Sequence, residues 1–129
     1  MTPHELKQRT KRFAIDIIKV AATLPRGITA DVINRQLVKA GTGVAANYRS
    51  SCRAKSRKDF VVKLTTAAEE ADESGLWLEI LSEAEIVRAS AVARLLDEAD
   101  QLTRIFVASI ITARKRKRSE KNQQSEINN

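Results

Sequence analysis

The sequence predicts an all-α protein, an up-down-up-down four-helix bundle. Apolar residues recur at steps of three and four along four successive stretches, while no stretch keeps the period of two that a half-buried strand needs. The 129 residues include four Gly and two Pro, too few for the many turns of an all-β fold. With 43% hydrophobic and 30% charged residues, a packed core and a wet surface are both available.

The first helix opens at Thr2-Pro3-His4-Glu5. Thr2 caps, Pro3 suits the first helical position, and Glu5 closes the capping box. Leu6, Phe13, Ile17, Val20 and Leu24 then share one face, and Leu24-Pro25-Arg26-Gly27 ends the helix. Thr29 is the expected cap of the second helix, with Asp31 facing the positive end of its dipole. Ile33, Leu37, Val44 and Tyr48 continue its stripe. Between them lies a patch of small residues, Ala40, Gly41, Gly43, Ala45 and Ala46. Two Gly there cost roughly 2 kcal/mol of helix propensity relative to Ala, so either the helix bends or a neighbouring backbone comes close.

Ser56 is the next cap and opens a third helix, with Phe60, Leu64, Ala67, Ala71, Leu78 and Leu81 on one face. The stretch Ser82 to Ala89 is ambiguous, and Ser90 is the expected cap of the fourth helix. Leu95, Ala99, Leu102, Phe106, Ser109 and Ala113 form its seam. Val92, Leu96, Ile105, Ile110 and Ile111 widen the apolar girth, which calls for more than one neighbour. Four such segments of about 20 residues, each ~30 Å long, give the bundle over residues 1–113. Residues 114–129 are expected to be a basic polar tail, irregular past about residue 118, with Ile127 its one core-type residue.

Composition narrows the chemistry. Cys52 is the single cysteine, which excludes an intramolecular disulfide and a multi-cysteine zinc site, and His4 as the single histidine removes most metal and triad chemistry. Met1 to Arg12 lacks the apolar stretch of a signal peptide, and apolar windows such as 105–113 are far too short to span a bilayer. A cytoplasmic protein without membrane contact is expected.

Net charge is +7 and unevenly spread. Residues 1–60 balance at +9, residues 61–113 at −6 and residues 114–129 at +4. Two basic blocks around an acidic one can hold a polyanion, or can pair within the fold or between subunits.

The acid cluster Glu69, Glu70, Asp72 and Glu73 lacks the Glu-x-x-His pairs of a bundle di-metal site. Its expected partners are instead Arg49, Arg53 or Lys63. Gly41-Thr42-Gly43 has neither the preceding strand nor the Gly-Lys-Ser/Thr ending of a phosphate loop. Cys52, though flanked by cations, has no His partner and is expected to be a small semi-buried residue. No enzyme activity, cofactor or metal is expected.

The basic residues are the better candidates. Arg49, Arg53, Lys55, Arg57 and Lys58 cluster at the junction of helices two and three, and Arg114, Lys115, Arg116, Lys117 and Arg118 form an unbroken run. Lys and Arg neutralise phosphates with release of counterions, a binding mode independent of sequence. The bland alternatives are a solvated surface and cations favoured near a helix C-terminus. Phe13, Phe60, Phe106, Tyr48 and Trp77 sit mostly at core-like spacing, so contact through backbone shape and charge is expected rather than a base-stacking platform.

Leu24-Pro25-Arg26-Gly27, the run from Gln36 to Arg49 with its Ala46-Asn47-Tyr48-Arg49 ending, Glu69-Glu70-Ala71-Asp72-Glu73-Ser74, and Trp77-Leu78-Glu79 resemble a bacterial four-helix-bundle family. That family includes proteins encoded in intervening sequences of large-subunit ribosomal RNA genes. It is distantly similar to accessory variability proteins of diversity-generating retroelements. The resemblance covers about residues 23–82 and implies self-association into a five-fold ring. In the retroelement relatives a basic surface binds nucleic acid and the ring docks on a reverse transcriptase. The family's polar signature falls on Asn47, Arg49, Glu69, Asp72 and Glu73, to which we assign a structural role, opposite charges fixing the register of antiparallel helices. Gly43 stands where relatives often carry a larger residue. The expected function is a non-catalytic, oligomeric accessory protein that binds nucleic acid, structured RNA above DNA. The alternative is a protein-interaction scaffold, for example a partner of a reverse transcriptase, with no nucleic-acid affinity of its own.

Overall fold

A computed structural model describes residues 1–128. Four helices follow in order: α1 (Pro3–Ala21), α2 (Ile28–Ser51), α3 (Arg57–Glu83) and α4 (Ala89–Asn128). No strand occurs among the described residues. Short links make neighbours antiparallel, so the chain runs up, down, up and down. α2 packs on α1 and α3, α3 on α4, and α1 closes the bundle against α4.

The local signals explain most boundaries. Thr2 accepts from the Glu5 N–H while Glu5 accepts from the Thr2 N–H, and Pro3 takes the first helical position. Ser56 accepts from the Asp59 N–H and caps α3. The other two caps differ from expectation. α2 starts at Ile28 behind Gly27, whose φ of 152° suits glycine, so Thr29 lies inside the first turn. α4 starts at Ala89, one residue ahead of Ser90. The ambiguous stretch before it is a helix stop. Glu85 takes φ 60°, and the Ile86 and Val87 N–H groups both donate to the Leu81 carbonyl.

One apolar cluster fills the bundle. Phe13, Ile17, Leu37, Val44, Leu64, Leu78, Leu81, Val92, Leu102 and Phe106 are essentially without solvent contact, each burial favouring the fold by about 1.5–3 kcal/mol. Tyr48 stacks on Phe106 across the core, with centroids 5.7 Å apart. The buried hydroxyls are satisfied locally: Thr10 donates to the Leu6 carbonyl, Ser51 to Tyr48 and Ser74 to Glu70. On α4 the buried position is Ile110 rather than Ser109.

α2 does not bend at its small-residue patch; it runs unbroken from Ile28 to Ser51. Its neighbours come close instead. A Cβ on Gly41 would meet Ile17 Cγ2 at 2.7 Å, and one on Gly43 would meet Glu70 Cδ at 3.0 Å.

α4 continues for 40 residues, ~60 Å, through the segment expected to be irregular. The boundary at Ala113 marks the end of burial rather than the end of helix. The side chain of Ile127 lies outside the described residues.

Candidate nucleic-acid interface

The topology sorts the charge by position along the bundle. The start of α1, the end of α2, the start of α3 and the latter part of α4 share one end. Residues 1–12, 40–69 and 105–128 carry 16 Lys and Arg against five acids, whereas the rest of the chain carries seven against 11. The two basic blocks of the sequence thus form one basic end.

The link from α2 to α3 is held rigidly there. Cys52 caps α2, and the Asp59 carboxylate accepts from the Lys55 N–H and from Lys63 Nζ, both at 3.1 Å. The Lys55 amide first, and Lys63 second, hold the Asp59 carboxyl below the usual carboxylate range. Arg49, Arg53, Lys55 and Lys58 remain exposed.

On α4, Arg114 to Arg118 are all exposed, and the helix spreads them around its circumference. Arg114 and Lys117 turn toward α3. With Arg57, Lys58, Val61, Val62 and Ala113 they line a hollow of about 150 Å³. Arg116 borders a second hollow beside Phe60, while Lys115 and Arg118 line neither. Arg57 also donates to Glu120, with Nη2 to Oε1 at 2.7 Å. That hydrogen bond raises the guanidinium pKa and lowers that of the Glu120 carboxyl.

The ten predicted cations therefore divide. Arg57, Lys58, Arg114 and Lys117 come together, and Arg116 lies beside them. Arg53 and Lys55 lie on the link. Arg49 lies on another face, in an α1–α2 groove that also holds Lys7 and Lys11. Sequence reasoning missed Lys7 and Lys11, though their spacing of four on the first helix was the available signal.

The polar signature is arranged differently from expectation. Asn47 Nδ2 donates to the Gly43 carbonyl at 2.8 Å, and Glu73 accepts from Trp77 Nε1 at 3.2 Å. Glu69 and Asp72 are exposed. The basic partners expected for Glu69 and Glu73 go elsewhere: Lys63 pairs with Asp59 one turn away, and Arg49 faces α1. Local pairing wins because an i, i+4 partner costs little chain ordering. The register-fixing charges are instead between α1 and α4. Arg9 donates to both Glu98 oxygens, at 2.9 and 2.6 Å, and Asp16 meets Arg94 at 3.2 Å. Cys52 is exposed rather than semi-buried, because it stands just past the last turn of α2.

Among the described residues no group of three or more His, Cys, Asp or Glu is placed to hold a metal. No described helix is long and apolar enough to cross a membrane.

Fold and site together define an all-α bundle protein with one strongly basic end. The chain belongs to the 23S rRNA-intervening sequence protein family, whose model matches residues 3–108. It is similar to a solved protein of unknown function from the S23 ribosomal protein family of Bacteroides thetaiotaomicron. That likeness has 28% sequence identity and a TM-score of 0.75, covering 81% of this chain and 96% of that one. No protein with a curated description matches. The Arg114 to Arg118 run lies beyond the segment that the family model matches.

Proposed function

We propose that this chain is a non-catalytic, cytoplasmic accessory protein that binds nucleic acid, structured RNA above DNA, through the basic end of its bundle. The observation that carries the reading is the convergence of Arg57 and Lys58 from α3 with Arg114 and Lys117 from α4 around one hollow. Cations carried on two packed helices are gathered before binding, and released counterions drive association.

Fluorescence anisotropy of a labelled structured RNA at two salt concentrations tests it. The full chain should bind with a steep salt dependence. Changing Arg114, Lys115, Arg116, Lys117 and Arg118 to Gln should weaken binding across unrelated sequences and flatten the slope. Unchanged affinity removes the run from the site.

Self-association belongs to the same reading. Val107 and Ile111 stand one turn apart on α4 and are 43% and 47% exposed. A ring in which a neighbouring subunit covers them accounts for the wide apolar girth of that helix. The same two residues favour the second reading, a scaffold that engages a protein partner such as a reverse transcriptase. Light scattering of the wild type and of Val107→Lys separates monomer from oligomer. An oligomer with no RNA affinity near physiological salt selects the scaffold.

A further inference from the structure

Three neighbouring hollows at the basic end share lining residues. The largest, about 550 Å³, opens between the start of α1, the end of α2, the start of α3 and α4. Leu6, Tyr48, Phe60 and Ile105 give it apolar walls, and no charged side chain lines it. Phe60 and Ser109 also line the next hollow, about 320 Å³, which ends at Ala113 and Arg116. Ala113 in turn borders the hollow of Arg57, Lys58, Arg114 and Lys117. A mainly apolar cleft, lined also by Met1 with its amino terminus, thus lies near a cationic one.

A partner that satisfies both has an apolar, flat portion joined closely to anionic charge. A nucleotide has that composition: a base with two apolar faces and a polar edge, on a phosphate backbone. Duplex nucleic acid hides its bases in the stack and offers no base face to the apolar part. We propose that this cleft takes one unpaired nucleobase of the bound RNA, while Arg116, Arg57, Lys58, Arg114 and Lys117 hold the flanking phosphates. The inference rests on the function proposed above and names its ligand class, RNA with an unstacked residue beside a structured segment.

The wall chemistry fits such a guest. Phe60 is half-buried, so an aromatic side chain with remaining accessible surface lies where the two hollows meet. Ser56 accepts from the Asp59 N–H and keeps its own proton to donate to a base edge. The cleft volume lies within the range of ordinary ligand sites.

The test uses three labelled RNAs with equal numbers of phosphates: a hairpin with an unpaired loop, the same hairpin with abasic loop residues, and a blunt duplex. The looped RNA should bind about 5- to 100-fold more tightly than either of the others. Cys52 is the chain's only cysteine, is exposed and lines the cleft. Alkylating it with N-ethylmaleimide adds neutral bulk there. The alkylated protein should lose the preference for the loop yet keep its duplex affinity, and Cys52→Ser treated alike should keep both. Ser109→Phe fills the cleft from α4 as an independent route, and circular dichroism confirms the fold of each form. Equal binding of all three RNAs, or a loop preference unmoved by alkylation and by Ser109→Phe, overturns the base cleft and leaves backbone binding standing. Absence of binding to any of the three at low salt overturns the proposed function and this inference with it.

Discussion

Gly41 of α2 lies against Ile17 of α1 so closely that a single added methyl carbon would come within 2.7 Å of Ile17 Cγ2 and 2.9 Å of Cγ1. Ile17 has no exposed surface, and packed interiors leave few voids into which a side chain can withdraw. The closeness of α1 and α2 is therefore set by the missing side chain, and the helix-propensity cost of Gly41 is offset by packing around it.

Gly41→Ala is expected to destabilise the protein. Overpacking costs typically 1–3 kcal/mol, against about 1 kcal/mol gained in propensity. Gly43→Ala has the opposite expectation. The atoms it meets belong to the far end of Glu70, a flexible side chain that can swing away. Urea unfolding of the two variants should place them on either side of the wild type.

Glu70 also makes a pH prediction. Burial first, then the nearby Glu73 carboxylate, raise its pKa above the ordinary glutamate value, and Lys39 only partly offsets this. The folded state then holds its proton to higher pH than the unfolded chain does. Its contribution to stability is fully present below the unfolded pKa and is lost as pH rises through the folded one. Glu70→Gln should therefore remove part of the fall in stability as pH rises above the ordinary glutamate range. Unfolding curves across that window, wild type against variant, check it.

The position of the cations predicts unequal roles within the Arg114 to Arg118 run. Replacing Arg114 and Lys117 by Gln removes two groups that share a hollow with Arg57 and Lys58. The salt slope for RNA binding should fall by about 1.4 to 1.8. Replacing Lys115 and Arg118, which line neither hollow, should lower it less. Glu120→Gln releases Arg57 from its carboxylate partner and should strengthen RNA binding without shifting the melting temperature. Anisotropy titrations at several salt concentrations measure the binding effect of all three, and thermal unfolding checks the Glu120→Gln variant.

Arg9 and Glu98 clasp α1 to α4 through a two-pronged, part-buried contact. A double-mutant cycle with Arg9→Ala and Glu98→Ala should return a coupling of about 0.5–1.5 kcal/mol. Arg94→Ala should matter less, because its side chain is 76% exposed and Asp16 retains Arg12 at 3.7 Å.

Much of the fold was legible because it depends on short-range chemistry. Thr2, Glu5 and Ser56 act as caps through hydrogen bonds that close within three residues. The buried stripes of Leu37, Val44 and Tyr48, and of Leu64, Ala67, Ala71, Leu78 and Leu81, follow helical period alone. The misplaced starts of α2 and α4 lie where serine and threonine compete with backbone geometry. Gly27 at its unusual φ supplied a start that no side-chain signal announces.

By itself the sequence determined the all-α class, the four apolar stripes and the presence of two basic blocks, since each is a property of neighbouring residues. Only the tertiary structure decided that both blocks meet at one end, because the antiparallel order of helices places residue 57 beside residue 114. It likewise decided that Arg49 faces α1 rather than the acids of α3, and that Gly41 is a contact rather than a bend. Those outcomes depend on how whole helices rotate and slide against one another. Rotation and offset are fixed by the packed core as a unit, and no local stretch of residues encodes them.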